Sequence, residues 1–198
     1  MFMTRPSSRL LLALAVLTAA AGSAWAEKAD RTKPLVVESD NQKAVSVDLA
    51  KKTTTLQGNV SVSQGTLLIR ADRMEIKEDA AGRYLATAQA GSGRLAVFRQ
   101  KRDKVEEFIE GQADRIEYDG ASERVRLIGN AKLRLLRAGA ASDEATASTI
   151  VYDQRADTIT FEGGTTTAGT PGKARLVFVP RETPAAEPAA SAASGAGR

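Results

Sequence analysis

The carboxylates Asp72, Asp114, Asp119 and Asp153 are the side chains best suited by type to do chemistry in this chain. Two of them held across a cleft would suffice for glycosidase-type acid–base work. Each falls at a strand start or turn edge of the sequence pattern, however, where solvated or turn-capping carboxylates are the ordinary occurrence. The rest of a catalytic apparatus is missing. The 198 residues contain no Cys and no His, which excludes the common zinc sites, disulfide frameworks, thiol nucleophiles and every His-based triad. The serines have no base partner, and the Gly-Asn and Asp-Gly pairs precede no helix of the kind a phosphate cradle needs. No enzyme, metal site or cofactor is expected. Arg73, Arg115, Lys132 and Arg134 could meet phosphates, but a solvated outer face is the simpler account of all four.

The elements that would position any site are short strands. Apolar and polar residues alternate at Val45-Ser46-Val47, Val60-Ser61-Val62, Met74-Glu75-Ile76, Ile116-Glu117-Tyr118, Val125-Arg126-Leu127, Leu133-Arg134-Leu135 and Ile159-Thr160-Phe161. That is the period of a half-buried strand. Turn signals separate them: Gly58-Asn59, Gln64-Gly65, Asp119-Gly120, Gly129-Asn130 and Gly163-Gly164. Residues 101–110 come nearest to a helical pattern and still read as strand, and residues 138–147 read as a loop. Three stretches of equal length, 45–58, 116–129 and 150–163, repeat the layout of strand, turn and strand ending at Gly. One such hairpin cannot bury its apolar face alone, so stacked hairpins must share a core. The fold class is all-β.

The first 26 residues read as an address. Arg5 and Arg9 precede an apolar run, and Ala24-Trp25-Ala26 supplies a small-x-small cleavage site, placing the cut after Ala26. The run is too short to span a bilayer, which takes about 20 residues. Losing it lowers the formal charge from +4 to +2, which argues against nucleic acid as a partner. Residues 181–198, rich in Ala, Pro, Ser and Gly, read as a disordered tail, leaving residues 27–180 to fold.

If alternation holds, one face gathers Val37, Val45, Val47, Val60, Val62, Leu67, Ile69, Met74, Ile76, Phe98, Ile116, Tyr118, Leu127, Leu133, Ile150, Tyr152, Ile159 and Phe161. Two arrangements are open. The face could be a packed core, as in a structural or adhesive exported β-protein. It could instead line an elongated groove for acyl chains, each buried methylene being worth about 0.8 kcal/mol.

Residues 34–40, Pro-Leu-Val-Val-Glu-Ser-Asp, lead to the segment T-x-x-G-N-V-x-V-x-Q-G-T at 55–66 and on to Ile69-Arg70-Ala71-Asp72. With Gly111-Gln112-Ala113, Leu127-Ile128-Gly129-Asn130-Ala131 and Val177-Phe178-Val179-Pro180, this order and spacing closely resembles the LptA (OstA-like) family of periplasmic lipopolysaccharide-transport proteins. The resemblance implies a twisted, partly open β-jellyroll of about sixteen antiparallel strands with an apolar interior groove. It further implies a periplasmic location and binding of lipopolysaccharide through its lipid A acyl chains. The implied partners are an LptC-like inner-membrane protein, the N-terminal domain of LptD at the outer membrane, and further copies joined head to tail. Lipid contacts carry over onto Leu35, Val37, Phe98 and Tyr118. An aspartate at Phe98 or Tyr118 is expected to impair lipid binding and leave the fold detectable. The strand edges open to partners are Leu35, Val36, Val37, Glu38 and Ser39 at one end. Arg175, Leu176, Val177, Phe178 and Val179 form the other.

Overall fold

The computed structural model describes residues 30, 32–40, 44–103, 105–163 and 173–180; the expected export signal and the tail lie outside them. Twelve strands form one antiparallel sheet: β1 (Val36–Ser39), β2 (Ser46–Asp48), β3 (Thr53–Gln64), β4 (Leu67–Glu78), β5 (Tyr84–Gln89), β6 (Ala96–Lys101), β7 (Glu107–Ala113), β8 (Arg115–Asp119), β9 (Arg124–Arg137), β10 (Ala140–Asp153), β11 (Thr158–Glu162) and β12 (Arg175–Val177). The four strands β3, β4, β9 and β10 are 12 to 14 residues long, and each serves two different neighbours along its length. β5 pairs with residues 73–78 of β4 while β6 pairs with residues 68–70. β8 and β7 divide β9 in the same way, and β11 and β12 divide β10. The sheet is therefore folded across its middle into two halves. Counting each long strand as two segments gives the sixteen that the family resemblance implies.

The fold line is written in the Gly-Asn pairs. Gly58 and Asn59 adopt φ of 86° and 45°, Gly129 and Asn130 of 75° and 46°, and the β3–β4 register slips at the first pair, between Gln57 and Val60. β9–β10 slips at the second, where Ile128 faces Thr149 and Ala131 faces Ala147. Glycine and asparagine tolerate positive φ, and an extra residue inserted into a ladder bends its strand. Each Asn then donates its side-chain amide to a carboxylate beside a neighbouring strand, Asn59 to Asp40 just past β1 at 2.7 Å and Asn130 to Asp114 between β7 and β8 at 2.9 Å. These pairs read from sequence as turns ending a strand; they are bulges inside continuous strands. Residues 138–147 are likewise no loop. Ala138 and Gly139, both at positive φ, make a two-residue hairpin turn, and β10 begins at Ala140. Its small residues suit the place, for Ala145 is buried against the core.

Within residues 101–110 the chain is strand at both ends, with β6 closing at Lys101 and β7 opening at Glu107. The two halves of the sheet pack face to face. The Phe98 ring on one half lies 6.5 Å from that of Tyr152 on the other, tilted by 50°. A Cβ at Gly111 would stand 2.6 Å from Cδ1 of Leu127 across the interface, so any larger residue would have to displace the Leu127 side chain.

Candidate lipid-binding interior and open sheet edges

Strand register sorts the inward side chains into rows that cross the sheet. On one half, Val37, Val62, Ile69, Phe98, Gly111, Leu133, Ala145 and Leu176 are successive cross-strand partners from β1 to β12. On the other half one row runs Leu56, Met74, Ala88, Ile116, Leu127, Ile150, Phe161. The next runs Val47, Thr54, Ile76, Ala86, Tyr118, Val125, Tyr152, Ile159. All of the inward residues expected from alternation except Val45, Val60 and Leu67 fall on these three rows; Val60 and Leu67 are buried beside them, Val45 is exposed at 40%, and Leu35 packs against the same cluster.

Burial varies along the rows. Val62, Ile69, Met74, Ile76, Phe98, Ile116, Tyr118, Leu133, Ile150 and Tyr152 are buried, with Phe98 and Ile116 fully enclosed. Val37, Leu35 and Phe161 are half-buried, and Val47 and Leu176 are exposed at 57% and 46%. The middle of the interior is thus filled by its own side chains rather than standing open as a groove, while the third row reaches solvent at Val47 and the first at Leu176, on opposite edges of the sheet. Val47 accordingly faces an open hollow of about 170 Å³ shared with Leu49, Ile76 and Tyr84. Sequence reasoning did not single out Gly111, whose missing side chain admits Leu127. Nor did it find the row of small residues beside the fold line, which includes Ala71, Ala96, Ala113 and Ala131. The only signal for that row was a scatter of alanines in strand segments.

Both expected partner segments lie at the margins of the sheet. Among the described residues β1 pairs in strand only with β3, and β12 only with β10, so each is an edge strand. Val36, Leu176, Val177, Phe178 and Val179 are exposed there, Phe178 at 73%. Glu38, Ser39 and Asp40 border a polar hollow of about 680 Å³ with Ser61 and Arg70.

The four carboxylates weighed for catalysis are structural. Asp119 accepts from the backbone of Ala121 and Ser122 and from the Ser122 hydroxyl, and Asp153 accepts from the backbone of Arg155 and Ala156. Asp114 receives Asn130 at the fold line, and Asp72 abuts Gly91. The Ser122 hydroxyl holds the Asp119 carboxyl below its ordinary range, and the Ala156 N–H does the same for Asp153. A general acid needs the opposite shift. Of the basic residues, Arg115 pairs with Glu117 (2.5 Å), Lys132 with Glu144 (3.0 Å) and Arg134 with Glu110 (3.1 Å) on the outer face.

A pH dependence follows. The Arg102 guanidinium holds Asp157 below the usual carboxylate range. Burial pushes Glu107 up, but bonds from Arg137 and Arg102 outweigh it and leave that carboxyl depressed as well. A depressed folded-state pKa stabilises fully above the unfolded value of about 4 and loses that contribution as pH falls through the lower folded value. With no His in the chain, no side chain of ordinary pKa titrates between about pH 5 and 8. The melting temperature measured by calorimetry is therefore expected to be flat across that interval and to drop in acid below about pH 4. A midpoint of loss near pH 6 would contradict the assignment.

Comparison with known proteins bears on the whole arrangement. The family described as LptA/(LptD N-terminal domain) LPS transport protein matches residues 36–158, from the start of β1 to the start of β11. The lipopolysaccharide export system protein LptA of Haemophilus influenzae is 29% identical over 172 residues, 87% of this chain and 91% of that one. The protein of the same name from Escherichia coli K12 is 33% identical over 145 residues, 73% of this chain and 76% of its own. Among solved structures, LptH of Pseudomonas aeruginosa superposes with a TM-score of 0.64 at 23% identity, over 76% of this chain and 99% of LptH, which supports the jellyroll fold. LptH is described as the LptA-homologous periplasmic component of the lipopolysaccharide transport device. From its fold line to its open edges, this chain belongs to the LptA/(LptD N-terminal domain) family of LPS transport proteins.

Proposed function

We propose that this protein is an exported, non-enzymatic carrier of lipopolysaccharide that bridges the periplasm and passes its cargo from an inner-membrane complex to the outer-membrane translocon. The observation that carries the reading is the set of apolar rows, which run in register across the whole sheet and come to the surface at both edges. A globular core has no need of apolar ends at opposite edges, whereas a path for acyl chains does. Copies add strand to strand, β12 of one against β1 of the next, so that the rows continue from molecule to molecule. An LptC-like protein would occupy the free edge at the inner membrane and the N-terminal domain of LptD the one at the outer membrane. The mature chain starts at Glu27, a point that the mass of the protein purified from the periplasm checks directly.

The packed interior favours one competing reading, a closed-core structural protein, and the same experiment separates the two. A photoreactive residue placed in living cells at Val37 or Phe161 should capture lipopolysaccharide. The same group at Glu38 or Glu162, one residue along each strand and on the opposite face, should not. No adduct at any of the four positions would leave the closed core as the better account.

A further inference from the structure

The two halves of the sheet are joined in unlike ways on their two sides. At the fold line β3, β4, β9 and β10 run through unbroken, so that side cannot part without breaking strands. On the opposite side, the rim, the halves meet through side chains belonging to segments far apart in sequence. Gln100, next to the end of β6, accepts an amide hydrogen bond from Gln154, just past the end of β10, at 2.5 Å. Arg102, in the turn after β6, donates to Asp157, in the turn before β11, through Nε at 3.1 Å and Nη2 at 2.5 Å. Tyr152, from beneath, donates its hydroxyl to the same carboxylate at 3.2 Å.

We propose that the Gln100–Gln154 and Arg102–Asp157 contacts form a latch, and that acyl chains enter the interior sideways when it parts. The proposal rests on the carrier reading, because the filled interior gives a lipid no room until the halves separate. The chemistry of the rim suits a contact that must break. Both glutamines are nearly enclosed, at 3% and 5% exposure. One amide hydrogen bond joins them when the halves meet and water can replace it when they part, so the exchange of that bond is close to balanced. The ion pair is partly exposed, with Arg102 20% and Asp157 40% exposed, so water can solvate both groups when the halves separate. The half that carries Arg102 also keeps it aimed. Glu107 binds Arg102 from the neighbouring strand, and Arg137 binds Glu107 at 2.6 Å. Asp157 can therefore leave and return to a guanidinium that has not moved. Directly beneath the latch lies the Phe98–Tyr152 ring pair, which parting would uncover to the lipid.

A ligand shifts such an equilibrium only by binding the open form more tightly. Locking the closed form should then weaken lipid binding in proportion to the open fraction removed. Since the chain has no cysteine, Gln100→Cys with Gln154→Cys allows one disulfide and no other. The oxidised variant is expected to bind purified lipopolysaccharide at least about tenfold more weakly than the same protein after reductant. A short bifunctional thiol reagent closes the pair if oxidation does not. Asp157→Asn, which removes the charge pair, should raise the rate of lipopolysaccharide uptake several-fold. Equal binding by the locked and reduced forms, or an unchanged uptake rate in Asp157→Asn, overturns the latch. If the unsubstituted protein binds no lipopolysaccharide either, it is the carrier reading that falls.

Discussion

Trimming Phe98 to alanine should lower the unfolding free energy in urea by about 3–5 kcal/mol, against a total of about 5–15 kcal/mol for a typical domain. The ring sits at the centre of the molecule with no exposed surface, and its reach is the reason. It stands on β6 opposite Gly111 of β7, whose missing side chain leaves room, and extends toward Tyr152 on the other half. No neighbour can collapse into the space it would vacate. The positions around it belong to the two hydrogen-bonded halves of the sheet, pinned at the fold line, and Leu127 already fills the gap over Gly111. The full burial of Phe98 counts against the sequence-based expectation that Phe98→Asp would spare the fold. A carboxylate there would lose its water inside the apolar row, which costs more than the lost ring alone. Tyr118, 7% exposed, is subject to the same objection in weaker form. Lipid contact is better probed at Val37 and Phe161, where the side chains are only half-buried. A loss below about 1 kcal/mol for Phe98→Ala would mean that the interior is loosely packed and open after all.

Much of this was legible in the residues, because strand alternation depends on neighbours two apart. The pairs Val60 and Val62, Met74 and Ile76, and Ile116 and Tyr118 each show their face directly, and all six point inward. The fold line was not legible. Gly-Asn followed by an apolar residue is spelled the same whether it closes a hairpin or bulges a long strand. What decides is whether the next strand over continues past it, as β4 does past Gly58 and β10 does past Gly129. Residues 138–147 misled through composition. Alanine and serine have little strand preference, and they are strand here because β9 and β12 pair with them on either side. The rim was least legible of all. Arg102 and Asp157 are 55 residues apart and meet only because both lie one turn beyond strands that the sheet folds together.

The second large effect concerns the C-terminal edge. A chain ended at Lys173, lacking β12, should stay folded and lose self-association, while one ended at Pro180 should keep both. β12 is three residues long, and every residue of it is exposed. Its apolar side chains bury so little within the molecule that removing them should lower the melting temperature by only a few degrees, about the effect of 1 kcal/mol. Leu176 nevertheless continues the row that begins at Val37, and Phe178 and Val179 beyond it are exposed at 73% and 47% among the described residues. Val179 is held in place by its N–H, which donates to Asp143 at 3.0 Å, so the edge is ordered before any partner arrives. A pre-formed apolar edge gives its binding energy to the next strand without first paying to order it. Sedimentation velocity should show the Pro180 form assembling with concentration, and the Lys173 form remaining a monomer at concentrations at least about tenfold higher, a difference of about 1.4 kcal/mol or more. Assembly of the Lys173 form at the same concentrations would place the joint elsewhere. Unfolding of that form would instead make β12 part of the core, against its exposure.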